Sequence, residues 1–391
     1  MSQTQTQPPV MIVGAGPVGL SLALALARAG VHVDVFEAEA ELQSDLRGGA
    51  YHPPTLEQFA DWGVLQAVLA RGLEVRSLAY WERATRERVA EFDYASIADA
   101  TPYPFRVHCM QHVLCRILRD ALATQPTARL HMQHRLVGFV DHGATVEAEF
   151  ETPGGRIRQH GAWLCGADGA HSAVRKQLGM GFAGSTHADR FLVVNGQLRE
   201  GNAFAGMAPV NYVFDPDEWV ILLQLPGFVR VAFRAAHDED DVAASTPARI
   251  IARLERLFGS PDAFAVESVK LYKVHERAAD SFRRGRVVLL GDAAHINNPA
   301  GGMGLNSGIH DAASLAAVLR DPTDAAVDAW AEQRRRVAVE QIQARAAANV
   351  DDLAAKEAEA RERRNRAFRA AAADPELARQ HLLRFSMLAG R

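Results

Sequence analysis

The sequence predicts an α/β protein: a parallel, nucleotide-binding sheet assembled from separate stretches of chain, an antiparallel sheet inserted between them, and a helical carboxyl end. Three observations carry that reading. Gly14-Ala15-Gly16-Pro17-Val18-Gly19 follows the apolar run Val10-Met11-Ile12-Val13 and opens a helix. Gly291-Asp292-Ala293-Ala294-His295 follows a second strand-like run almost a chain length later. Between them, residues 191–233 read as strand after strand, parted by Asp215-Pro216-Asp217 and Pro226-Gly227.

Each position of the first motif has a physical reason. Gly14 permits the tight turn out of the strand, Gly16 lets the backbone approach a pyrophosphate, and Gly19 lets the helix pack closely on the strand. Pro17 and Val18 open the helix, and Gly30 caps its far end. The amino end of that helix offers free N–H groups and a positive dipole to phosphate. A second strand over residues 31–36 ends at Glu37, with Ala38 beside it, where a carboxylate accepts hydrogen bonds from an adenosine ribose. A 2′-phosphate would be repelled there, so the resident dinucleotide is FAD or NAD rather than NADP. A cofactor grasped at both ends of the chain is large, which points to FAD.

The remaining elements follow in order. A Gly/Pro-rich loop over 45–54 leads into an amphipathic helix over 55–65, and residues 75–92 alternate as strands. Residues 107–111 lead into a helix running to about residue 123, and 130–151 form two or three strands of a meander. Residues 163–168 return as a strand with a glycine-rich turn after it. Strands of the inserted sheet fall at 191–198, 210–214, 219–225 and 228–233, a helix covers 248–258, and 286–290 returns to the parallel sheet. From about residue 321 alanine, arginine and glutamate dominate, predicting helix that Pro375 must break or cap. The nucleotide-binding domain then comprises residues 1–75, 100–180 and 272–350, the inserted sheet domain 76–99 and 181–271, and the carboxyl-terminal helices 351–391.

At 391 residues the chain suits two intimately joined domains. A hydrophobic fraction of 48% with 23% charged residues is that of a soluble globular protein. The net charge of −4, from 43 basic and 47 acidic residues, argues against nucleic acid as a partner. Cys109, Cys115 and Cys165 lack metal-ligand spacing and read as buried, reduced thiols of a cytoplasmic protein, with no metal site expected. Residues 1–8 carry no positive n-region, so no signal peptide is expected. The apolar run 20–29 is too short to span a bilayer, so no membrane partner is expected either.

Three signatures now stand in order: 14–19, then Gly166-Ala167-Asp168-Gly169-Ala170-His171-Ser172-Ala173-Val174-Arg175, then 291–311. Together they resemble the para-hydroxybenzoate hydroxylase family, the single-component FAD-dependent aromatic monooxygenases, over nearly the whole chain. The resemblance implies a discontinuous Rossmann-like FAD-binding domain. It implies that Asp292 accepts hydrogen bonds from the hydroxylated chain linking flavin to pyrophosphate, and that the Pro299 carbonyl stands near the substrate and shapes the ring pocket. Pro299 is the one residue given a catalytic role. Gly301, Gly302 and Gly304 would press against the flavin pyrimidine, a helix beginning near Leu305 would aim its positive end at N1 and the C2 oxygen, and Asn306 would bond the same edge.

The same resemblance places Arg47 near the pyrophosphate, sets Gln111 against the cofactor, and gives Asp168 a part in both FAD and NADPH binding, with Arg175 tying that segment down. Asp168 as the cap of a helix at Ala170, and Arg175 as a surface ion-pair partner, are the alternatives. His295 reads as a packed structural residue and His52 as a loop residue near the flavin or at the surface; neither is assigned catalysis. Arg334-Arg335-Arg336 and Arg363-Arg364 read as solvated helix faces.

Residues 50–55, 215–219 and 272–275 are similar to the branch of the family containing para-nitrophenol 4-monooxygenases and phenol hydroxylase-like enzymes. The implied reaction is hydroxylation of a small phenol or hydroxylated N-heteroaromatic ring by O2 through a C4a-hydroperoxyflavin. NADPH or NADH would be a transient co-substrate, since no second dinucleotide unit is visible. Substrate contacts are expected from the inserted sheet at Asn211, Tyr212, Trp219 and Gln224, with Arg234 a further candidate and Pro299 near the ring. The enzyme would be a monomer or homodimer. The alternatives are Baeyer–Villiger chemistry on a related scaffold, or a redox-responsive flavin-binding interaction protein without turnover. A halogenase is disfavoured because no Trp-x-Trp-x-Ile-Pro stretch occurs.

Overall fold

The computed structural model describes residues 8–45, 47–199 and 206–389. Its nucleotide-binding half is a six-stranded sheet in the order Arg283–Arg284, Val287–Leu289, Trp163–Gly166, Val10–Val13, Val33–Phe36, Ala128–His131. Every pair but the first is parallel. Val10–Val13 and Trp163–Gly166 are buried at every residue, which is why they read as unbroken apolar runs. Neighbours in this sheet come from residues near 10, 165 and 288, so the sheet is discontinuous in sequence as expected. Helix Pro17–Arg28 packs against both Gln111–Leu122 and Met303–Leu319.

The meander differs from the sequence expectation. Ala128–His131 joins the parallel sheet, and the meander is built from Arg135–Asp141, Val146–Thr152 and a further strand, Gly155–Gly161. It packs on the parallel sheet through Phe150, whose ring stacks on Phe36 at 4.0 Å. The helix expected over 55–65 is two helices, Pro53–Asp61 and Leu65–Leu69, parted where Gly63 takes φ +73°.

The inserted sheet has eight strands in the order His295–Ile296, Phe264–Ala279, Phe182–Leu198, Phe228–Ala235, Val220–Leu225, Val210–Phe214, Ser77–Glu82, Glu87–Asp93. One junction is parallel, Val210–Phe214 beside Ser77–Glu82; the others are antiparallel. Phe264–Ala279 has no counterpart among the expected strands, because most of its side chains are exposed or half-buried and leave no alternation to read. It also runs across the division placed between residues 271 and 272.

The two faces of this sheet meet different partners. Ile250, Leu254, Leu257 and Phe258 of helix Pro247–Phe258 seal one face over Val213, Val220 and Leu222. The opposite face carries Tyr80, Tyr212, Phe214 and Ile221 and is met by Leu353, Leu382 and Phe385 from the carboxyl-terminal helices. Pro375 starts the last helix, Pro375–Phe385, whose first amides are capped by Asp374. Arg364 is not the solvated residue its sequence suggests. It lies 3.6 Å over the Phe214 ring and bonds Glu82 at 2.9 Å, fastening helix Ala358–Ala373 to the sheet, whereas Arg363 stays exposed. Among the described residues no helix is long and apolar enough to cross a membrane.

Candidate active site

The three signatures meet at the carboxyl ends of adjacent parallel strands. Gly14 takes φ +102°, and a Cβ there would stand 2.5 Å from the Ala167 carbonyl oxygen; one on Gly19 would stand 2.0 Å from the Gly14 oxygen. Strand, helix and second signature therefore touch backbone to backbone. The Val18 side chain reaches the third signature: a Cβ on Gly291 would come within 3.0 Å of it, and one on Gly308 within 2.8 Å. Arg175, only 5% exposed, donates to the carbonyls of Ala293 and Ala170, each at 2.8 Å, and lies 3.7 Å over the Phe182 ring. It ties the second signature to the third and is no surface ion-pair partner. Asp168 accepts from the Ser172 hydroxyl and from the amides of Ala173 and Val174, so it caps helix Ala173–Gln177 rather than one at Ala170.

Two glycines of the first and third signatures have no reason within the chain. A Cβ on Gly16 would meet nothing within 4 Å, and one on Gly304 would meet only Asn297 at an ordinary 3.8 Å. Both leave open backbone, the cradle that a dinucleotide and a flavin ring require. Glu37 stands across the glycine turn, accepting from the Ala15 amide at 2.8 Å, with Ala38 half-buried beside it. The Arg47 carbonyl accepts from the Gln111 amide at 3.1 Å, and the Gln111 side chain donates to the Gly48 carbonyl at 3.1 Å. The structure thus brings Arg47 and Gln111 together and leaves the Arg47 guanidinium exposed. The Asp292 carboxylate is solvent-accessible and takes no hydrogen bond from the described chain. The recess around it still desolvates the group enough to raise its pKa above the ordinary range, against the pull of His295 and Arg47. These features fit FAD.

Pro299 is exposed, and its carbonyl accepts from the Gly302 amide at 3.0 Å. Gly302 caps helix Met303–Leu319, which begins two residues before Leu305 and leaves that side chain half-buried against the core. Asn306 is a correction. Its Oδ1 accepts from the His52 amide and the Thr55 hydroxyl, and its Nδ2 donates to the carbonyls of Ala50 and Gly302. With both ends of its amide engaged, this side chain fastens the 50–55 loop to the helix instead of meeting a flavin edge. His52 is buried, its Nε2 3.1 Å from the Gly301 oxygen, so it is not a surface residue.

Arg334 corrects another expectation. Its guanidinium pairs with Asp311 at 2.6 Å, and Asp311 also binds His295 at 2.7 Å and the Gly291 amide at 3.1 Å. Arg335 donates to the Ala279 carbonyl at 3.0 Å, while Arg336 is exposed.

Of the expected substrate contacts, Tyr212 lines a cavity of about 30 Å³ between the sheet and the carboxyl-terminal helices, with Tyr80, Phe214, Asn349, Phe368 and Phe385. Asn349 Nδ2 reaches the Ala300 carbonyl at 3.4 Å, so this cavity adjoins the 299–302 turn. Trp219 shares the Tyr212 side of the sheet but packs edge-on to Phe191 at 5.0 Å and does not line the cavity. Asn211 and Gln224 are corrections. The Asn211 side chain accepts from the Trp81 indole at 2.9 Å on the helix-covered face, and Gln224 projects to that same face and is exposed. Arg234 is held by Asp189 at 2.6 Å and by the Asp217 carbonyl, outside the cavity wall.

The residues that sequence reasoning missed here are Tyr80, Asn349, His381 and Phe385. Tyr80 binds His381 at 3.2 Å, and no pattern along the chain links positions so far apart.

Burial pushes His108 and His381 down to about 4 and His52 well below its ordinary value. Each is neutral when folded and charged when unfolded below about pH 6.5, so stability is full above that pH and falls as pH drops toward 4. Acid unfolding is expected to take up about three protons near pH 5. Denaturant midpoints measured between pH 7 and pH 4.5 check this, and a flat profile would contradict it.

A dinucleotide cradle with an aromatic-walled cavity adjoining the 299–302 turn is the arrangement a flavin-dependent oxidoreductase requires. The family described as an FAD binding domain matches residues 7–345. The chain is 34% identical to para-nitrophenol 4-monooxygenase of Pseudomonas sp. (strain WBC-3), covering 98% of this chain and 96% of that one. It is 32% identical to 6-hydroxy-3-succinoylpyridine 3-monooxygenase HspB of Pseudomonas putida (strain DSM 28022 / S16), covering 88% of each. Its fold matches the crystal structure of p-nitrophenol 4-monooxygenase PnpA from Pseudomonas putida DLL-E4 with a TM-score of 0.91 at 32% identity, over 99% of this chain and all of that one. The chain belongs to the FAD-dependent aromatic monooxygenases of the para-hydroxybenzoate hydroxylase family, and FAD is its cofactor.

Proposed function

We propose that this chain hydroxylates a small phenol or hydroxylated N-heteroaromatic ring, consuming NADPH or NADH. A ring C–H, O2, NAD(P)H and a proton become a ring C–OH, NAD(P)+ and water. The observation that carries this reading is the aromatic cavity beside the 299–302 turn, in a chain that resembles a para-nitrophenol 4-monooxygenase over 98% of its length. Bound FAD would supply the redox and oxygen-activating chemistry.

The chain's own residues hold and screen. Gly14, Gly16, Pro17, Val18 and Gly19 would receive the pyrophosphate, Glu37 and Ala38 the ribose, and Asp292 the linking chain. Arg47, Gln111 and Asp168 would close around the cofactor, with Asp168 acting by shaping the turn it caps. Pro299, Gly302, Gly304 and Leu305 would floor the ring, with the dipole of helix Met303–Leu319 facing it. Tyr212 would line the substrate side, with Trp219 packed behind, and the carboxyl-terminal helices would exclude water. As it stands the cavity holds roughly two water-sized spheres, so the ring must displace side chains to enter. We place the enzyme in the cytoplasm as a monomer or homodimer.

The test is NADPH and NADH oxidation by FAD-loaded protein with a panel of phenols and hydroxypyridines, alongside H2O2 yield. Acceleration with little peroxide and one oxygen gained by the ring is the expected result. No stimulation by any aromatic compound would sink the reading and favour a flavin protein without turnover.

A further inference from the structure

Arg106 is a buried cation without a counter-charge. It lies on the short strand Arg106–His108 and is 2% exposed. Among the described residues no carboxylate lies within ion-pairing distance of it. Its Nη2 donates to the Phe385 carbonyl at 3.3 Å and its Nε is buried with no partner; the neutral hydroxyls of Tyr94 and Tyr212 stand beside the guanidinium, which also meets the ring faces of Phe385 at 4.3 Å and Tyr94 at 5.8 Å. Three other buried arginines are answered by carboxylates: Arg253 by Glu218 at 2.6 Å, Arg83 by Glu218 at 2.9 Å, Arg364 by Glu82 at 2.9 Å. A buried charge with no counter-charge costs several kcal/mol, more than one long bond to a carbonyl, neutral tyrosine hydroxyls and two ring faces return.

The position of this charge suits a ligand. Its field reaches His52, beneath the 301–302 turn, on one side, and Tyr80 and Tyr212 of the aromatic cavity on the other. Phe385 is both a wall of that cavity and the platform for the guanidinium. Asp352, which also lines the cavity, is coupled to Arg364 instead.

We propose that Arg106 is the counter-cation for an anionic aromatic ligand, a ring bearing an ionised oxygen seated between the cavity and the 299–302 turn. This rests on the hydroxylase reading and narrows its substrate to a phenolate or an aromatic carboxylate. Ionisation would also enrich the ring in electrons, which suits attack by an electrophilic oxygen.

The test is equilibrium binding to the FAD-loaded protein, read from perturbation of flavin absorbance. The probes are 4-nitrophenol across pH, its methyl ether, which cannot ionise, and 4-hydroxybenzoate with its methyl ester. The expected result is at least tenfold tighter binding of the ionised phenol than of the ether, appearing as pH rises through the phenol's own pKa. Arg106→Gln should abolish that preference while changing ether binding by no more than about threefold, and Arg106→Lys, which keeps the charge, should retain it. The same pattern confined to 4-hydroxybenzoate over its ester would assign the anion to a carboxylate.

Equal wild-type affinity for charged and neutral partners overturns the proposal, as does an Arg106→Gln variant that weakens all four ligands alike. Should Arg106→Gln not load FAD, the wild-type pairs and Arg106→Lys decide, and loss of the preference in Arg106→Lys overturns the general charge role. A wild-type protein whose flavin responds to none of the four ligands would sink the hydroxylase reading as well, a distinct result.

Discussion

Gly19→Ala is expected to prevent folding of the cofactor domain, whereas Gly16→Ala is expected to spare the fold and lose the cofactor. A Cβ on Gly19 would lie 2.0 Å from the Gly14 carbonyl oxygen, a backbone atom that no rotamer change can move. The helix would have to leave the strand, at a cost on the order of 3–5 kcal/mol. Gly16 has φ −70°, which any residue adopts, and no atom within 4 Å of its would-be Cβ. Alanine there costs the apoprotein about 1 kcal/mol or less, as a poorer helix cap. The same methyl would fill the gap through which a pyrophosphate reaches the backbone amides, so FAD affinity should fall at least tenfold. Thermal melts of FAD-free protein, paired with flavin titration, separate the two outcomes. A Gly16→Ala protein that binds FAD normally would show that the cradle is not where we place it.

Asp311→Asn should be the most damaging single loss of charge in the molecule. Asp311 is fully buried and joins three groups: His295 within the third signature, Arg334 of helix Asp324–Arg336, and the Gly291 amide that opens the signature. Removing one member of such a network strands the others, typically at about 3–5 kcal/mol. Arg334 and His295 hold the Asp311 carboxyl far below its ordinary 3.8 despite burial. Its folded-state pKa is depressed, so its contribution is present above about pH 4 and lost as pH falls further. The stability gap between wild type and Asp311→Asn should therefore be widest at neutral pH and narrow toward pH 3. Because the Gly291 amide loosens with it, FAD affinity should weaken too. A variant of unchanged stability would show that the three elements hold together without this carboxylate.

Much of the cofactor half was legible along the chain because its determinants are local. Gly14, Gly16, Gly19 and Glu37 lie within one βαβ unit, where a turn, a close approach and a carboxylate must follow a strand at fixed spacing. Asp292 and the glycines after it are equally local to a single strand end. The inserted sheet was only partly legible. Its short, buried strands announce themselves by apolar runs, but Phe264–Ala279 is half-solvated and hides in an unpatterned stretch.

The sequence alone determined the fold class and pointed to the cofactor, because both depend on backbone geometry that few residue types permit; the kind of enzyme followed from the family resemblance that its three signatures carry. Only the tertiary structure decided which face of the sheet lines the aromatic cavity. Neighbouring residues on a strand point to opposite sides, so Tyr212 reaches the cavity while Asn211, beside it, bonds Trp81 on the other face. It likewise decided that Arg334 and Arg364 are paired and inside, and that Arg106 is inside with no carboxylate partner among the described residues. Burial and pairing of a charge are properties of its neighbours in space, and those neighbours come from segments up to hundreds of residues away.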